Sequence, residues 1–175
     1  GLEVPRVSVN MSARQFHDQA LVDHIAGALA RHGVDGRCLE LEITETLLME
    51  FPDRALNVMR RLEALGLRFS MDDFGNGYSN LAFLRRLPLH QLKIDRTLTI
   101  DLEQSFHSRS IVRAIIAMAR ALELELVAEG IENRYQLELL RDEGCAIVQG
   151  YLLARPGPEE ALPGLIRNGL AALAR

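Results

Sequence analysis

The sequence predicts an α/β protein built on parallel strands. Two observations carry this. Short β-branched or alternating apolar runs recur between longer stretches of helical period, and each such run closes on a charged or amide residue. Strands joined through helices run parallel, because a crossover of a dozen or more residues returns the chain to the same end of the sheet. With 48% hydrophobic and 25% charged residues over a length of 175, the composition is that of an ordinary globular chain of single-domain size.

Taken in order, an extended run over 7–10 comes first. An amphipathic helix over 21–30 follows, ended by Gly33. Residues 39–43 alternate, with acids at Glu40 and Glu42, and 53–65 is again helical up to Gly66. A strand over 67–71 leads into a loop rich in Gly and Asn, a short helix around 81–86 and an apolar run over 89–94. A helix over 110–122 carries Ile111, Ile115, Met118 and Leu122 at core spacing. Then come a strand over 124–128, a helix over 135–141, a short strand over 146–148 and a helical tail over 159–173. Six strand candidates result. Periodicity alone fits both a barrel and an open doubly wound sheet.

Several function classes are excluded or disfavoured. The net charge is −4 with both signs interspersed, so no basic footprint for a nucleic acid polymer exists. No apolar run approaches the ~18 residues of a membrane span, and direct membrane contact is not expected. Cys38 and Cys145 are too few for a disulfide framework and too far apart for a zinc site, which suits a reducing cytoplasm. The five histidines are scattered, with no pair four residues apart on a helix face.

The strand ends carry the chemistry. They close on Asn10, Glu42, the pair Asp72 and Asp73, Lys93 with Asp95 just beyond, Glu129, and Gln149. Parallel strands deliver all these positions to one face of the sheet. Carboxylates and an amide are hard oxygen donors suited to Mg²⁺, Mn²⁺ or Ca²⁺. Two such ions would neutralise the crowded acids and activate water for attack on a phosphodiester. Residues 72–79 are the most informative stretch, since two adjacent acids at a strand end cannot both face a core and the glycines permit a sharp turn. Arg96 lies near enough to a strand end to reach a phosphate.

The strings from Asn10 to Arg14, Leu41 to Glu45, Asp72 to Ser79, Lys93 to Arg96, Ala128 to Glu132 and Gln149 to Pro156 resemble the EAL domain family of cyclic di-GMP phosphodiesterases, in that family's order and over nearly the whole chain. The resemblance implies a (β/α)8 TIM-like barrel that opens one phosphodiester of cyclic di-GMP to give linear pGpG, with Mg²⁺ or Mn²⁺, two ions in the intact domain. It places Asn10, Glu42, Asp72, Asp73 and Glu129 on metal-ligand positions. Lys93 falls on the lysine that meets the activated water or phosphate, and Glu45 on the glutamate that anchors the loop after Asp73. Glu132 and Gln149 fall on polar residues lining the site. Lys93, Asp73 and Glu129 form the implied catalytic set.

One departure follows. The family's eponymous Glu-Ala-Leu should precede Asn10 by several dozen residues. The two copies present, at 63–65 and 160–162, fall in helical patterns away from strand ends. The expectation is therefore a single EAL-type domain over 1–175 that is truncated at its N-terminus, an incomplete barrel with about six of eight strands. Its open edges would favour a homodimer or strand-exchanged oligomer. Low activity is expected of this segment alone, with further signalling domains in the parent chain. The alternative from another class is a module that binds cyclic di-GMP without cutting it.

Overall fold

The computed structural model describes residues 6–75 and 81–168. The elements alternate as follows: β1 (Val7–Asn10), α1 (Ala13–Phe16), α2 (Leu21–His32), β2 (Leu39–Thr44), α3 (Glu45–Glu50), α4 (Pro52–Glu63), β3 (Arg68–Phe74), α5 (Leu81–Leu84), β4 (Gln91–Ile94), α6 (Arg96–Thr99), α7 (Phe106–Ala121), β5 (Glu125–Ala128), α8 (Arg134–Asp142), β6 (Ile147–Val148) and α9 (Leu162–Asn168). The six strands form one sheet in the order β1 to β6, every pair parallel. The sheet curls into an incomplete barrel, which settles the choice that periodicity left open.

Alternation along the strands gives the two faces opposite characters. Leu41, Ile43, Phe69, Met71, Leu92 and Ile94 are buried under the helices. The other face carries Glu40 and Glu42, Ser70 and Asp72, Gln91 and Lys93. Arg6 Nη1 lies 3.0 Å from Glu40 and Arg68 Nη2 3.0 Å from Glu125 at its lower end. Ser70 Oγ and Gln91 Oε1 meet at 3.2 Å above them. A cavity of about 500 Å³ opens on this polar face.

The structure adds helices that the sequence reading lacked. The helices α1, α3 and α6 have four to six residues, too short to show a period. Two are set by caps: Ser12 with Gln15 forms a capping box for α1, and Asp95 accepts from the Thr97 N–H at 2.8 Å to start α6. Ser105 caps α7, which starts at Phe106 instead of residue 110. In the tail a 3₁₀ turn (Glu159–Ala161) precedes α9. The expected continuation to 173, like residues 76–79 of the loop after β3, lies outside the described residues. Neither Glu-Ala-Leu tripeptide is near the strand ends: one closes α4 and the other spans the 3₁₀ turn into α9.

Candidate active site

Three strands and one strand-following loop build the centre. Glu42 on β2, Asp72 on β3 and Lys93 on β4 share the polar face, and Glu129 follows β5 two residues beyond Val127, the register partner of Lys93. Lys93 is only 3% exposed. Its Nζ lies 2.6 Å from Glu129 Oε1, 2.9 Å from Glu42 Oε2 and 3.3 Å from Asp72 Oδ1. Burial works against its charge, but the hydrogen bonds to Glu129 and Glu42 prevail and hold the ammonium well above the usual lysine range. Burial also pushes the Glu129 carboxyl up, with Lys93 opposing and Asp72 and Glu42 adding to the rise. Both directions hold together, because three acids crowd one base.

Asp73 reaches its place by a backbone device. Met71 pairs with Leu92 and Phe74 with Ile94, so three steps on β3 match two on β4. This bulge breaks the alternation. Asp72 stays on the polar face, while Asp73 turns out to solvent at φ 57°. Its carboxyl is raised, first by desolvation and then by Asp72 and Asp95.

The other expected residues fall around this centre. Asn10 is the register partner of Glu42 and is exposed on β1. Glu45 is buried at the start of α3, three residues after Glu42. Arg96 Nη2 pairs with Glu132 Oε1 at 2.7 Å. These two line a smaller cavity of about 170 Å³ with Glu129, Gln149 and Tyr151. Gly150 makes that wall possible, since a Cβ there would stand 2.1 Å from the Ile131 carbonyl oxygen.

Among the described residues, no three His, Cys, Asp or Glu side chains stand close enough to hold a metal by themselves. The carboxylates surround the Lys93 ammonium. One ammonium against three acids leaves two negative charges uncompensated, and Asp72 Oδ1 is buried without a hydrogen bond. This oxygen-rich, net-negative set fits a hard divalent cation. Sequence reasoning missed two buried polar residues behind the site, Thr99 and Gln136. The only signal for Gln136 was its place three residues after Asn133, the spacing of a capping box.

Comparison with known proteins gives the family and the fold. A cyclic di-GMP phosphodiesterase of Pseudomonas aeruginosa, NbdA, is 47% identical over 167 residues, which are 95% of this chain and 21% of the relative. The solved structure of the PaMucR phosphodiesterase in complex with c-di-GMP superposes with a TM-score of 0.87 at 44% identity, over 90% of this chain and 64% of that one. Klebsiella pneumoniae BlrP1, solved with calcium and cyclic di-GMP, gives a TM-score of 0.80 at 28% identity, over 86% of this chain and 39% of that one. The chain thus spans about a fifth of the length of the curated relative. The EAL domain model matches residues 2–156, so the chain belongs to the EAL domain family.

Proposed function

We propose that this chain acts as a metal-dependent cyclic di-GMP phosphodiesterase domain that opens one phosphodiester bond to give linear pGpG. The observation that carries the reading is the convergence of Glu42, Asp72 and Glu129 on Lys93. Those three, with Asn10 and Asp73, would hold Mg²⁺ or Mn²⁺ as a pair. Such ions supply charge neutralisation and activation of the attacking water. Lys93 keeps a permanent positive charge where a phosphate oxygen gains negative charge. Glu45, buried at the start of α3, fixes the loop that follows Asp73. Arg96, Glu132 and Gln149 line the wall against which the dinucleotide lies.

The length of the relatives supports placing this domain in a longer signalling protein; no helix among the described residues is long and apolar enough to cross a membrane. The deciding experiment measures cyclic di-GMP binding and hydrolysis by the full-length parent in Mg²⁺, Mn²⁺, Ca²⁺ and EDTA. Turnover in Mg²⁺ or Mn²⁺, lost in EDTA and suppressed by Ca²⁺ with its longer bonds, is expected. Binding without turnover in every metal would make the domain a sensor, and no binding at all would end the reading.

A further inference from the structure

Thr99 and Gln136 are 0% and 3% exposed, and neither stands at a strand end. A hydroxyl and an amide buried this completely need partners, and theirs are informative. Thr99 Oγ1 donates to the Glu129 carbonyl oxygen at 2.5 Å, with the Arg96 carbonyl 3.1 Å away. Gln136 Nε2 donates to the Thr99 carbonyl at 3.1 Å. Its Oε1 accepts from the N–H groups of Glu132 at 2.8 Å and Asn133 at 3.2 Å.

These bonds form one connected chain. It starts on the carbonyl of Glu129, passes through Thr99 and Gln136, and ends on the amides of Glu132 and Asn133. Between the two ends the backbone turns at Gly130, with φ 69°, pressed against Arg96 so closely that a Cβ would lie 2.2 Å from Arg96 Cγ. A capping box explains why a Gln at 136 reaches the Asn133 amide. It does not explain the bond to Thr99, the bond to Glu132, or a hydroxyl buried on the Glu129 carbonyl.

We infer that Thr99 and Gln136 are positioning residues that clamp the loop from Glu129 to Asn133, setting Glu129 against Lys93 and Glu132 against Arg96. Its catalytic consequence rests on the phosphodiesterase reading above; its structural half does not. Freed from the clamp, Glu129 keeps its own amide bond to the Ile94 carbonyl at 3.1 Å, so the strand end survives while the carboxylate loses its fixed bearing.

The test compares Thr99→Val, Thr99→Ser, Gln136→Leu and Gln136→Glu in the full-length protein. Valine keeps the shape of threonine and removes only the bond; serine keeps the bond. Thr99→Val should lower kcat for cyclic di-GMP by about 10–100-fold with KM little changed, and Thr99→Ser should recover most of the rate. By hydrogen exchange, Gln136→Leu should speed the Glu132 and Asn133 amides on the order of tenfold while the β4 amides keep their protection. Gln136→Glu, which retains the acceptor, should leave those two amides slow. Unchanged kcat in Thr99→Val in an active parent would overturn the catalytic half. Unchanged exchange, or loss of protection spread over the whole sheet, would overturn the clamp. A parent that neither binds nor cleaves cyclic di-GMP refutes the phosphodiesterase reading, and the exchange measurements still decide the clamp.

Discussion

Lys93 is the one cation that three nearly buried carboxylates share, and its removal tests structure as much as chemistry. Breaking a buried ion pair by deleting one partner costs about 3–5 kcal/mol, so Lys93→Met should lower the melting temperature sharply when no divalent metal is added. An unchanged melting temperature would mean that water already screens the three acids. Asp73→Asn should behave differently. Its side chain faces solvent and its backbone sits at φ 57°, a conformation asparagine accepts readily, so stability should hold while turnover falls by orders of magnitude. Lys93 stands at a strand end, and it is burial that gives it structural weight. His90 offers a pH signature. Burial, and then Arg68, depress its pKa below the usual 6.5. The unfolded chain therefore binds the extra proton first. This stabilising contribution is complete above pH 6.5 and is lost as pH falls through the depressed folded value. His90→Gln should make the acid-side decline in melting temperature shallower; an identical decline in the variant would contradict the assignment.

At the scale of elements, the turn after Gln149 is tightly constrained. Gly150 packs on the backbone of Ile131, and Leu152 N–H donates to the Ile131 carbonyl at 2.9 Å. Backbone cannot give way as a side-chain tip can. Gly150→Ala should therefore cost about 1–3 kcal/mol and loosen the wall that carries Gln149, read as a lowered denaturation midpoint with faster exchange at the Leu152 amide. A midpoint within error of the parent would show that the loop can shift at little cost. The long strands and helices were legible because period and polarity agreed: Leu41 and Ile43 alternate with Glu40 and Glu42, and the α7 stripe has helical spacing. The bulge at Asp72 was not legible, since nothing in two adjacent acids states whether the register slips between them. The Arg6, Glu40, Arg68 and Glu125 cluster escaped for a related reason. Three members lie on three different strands and Arg6 just before β1, and only the register brings them together. Thr99 and Gln136 lie on helices, where no strand-end rule reaches them.

For the whole molecule, the outer margins of β1 and β6 pair with no strand among the described residues. Val7 and Val9 are 54% and 44% exposed on β1. Parallel edges with free N–H and C=O groups beside apolar side chains seek another strand. This chain alone should sediment as a dimer or higher oligomer, and a monomer over the full concentration range would refute that.

Because spatial order along the sheet equals order along the chain, a ribosome delivers the site one crossover at a time, each strand meeting an edge already made. Glu42 emerges first, Asp72 second, Lys93 third and Glu129 last. The lysine arrives as countercharge before the third acid, so the nascent face never carries more than two uncompensated negative charges from these four groups. Vectorial synthesis thereby spares the half-made sheet the full repulsion that the finished site, without its lysine, would have to bear.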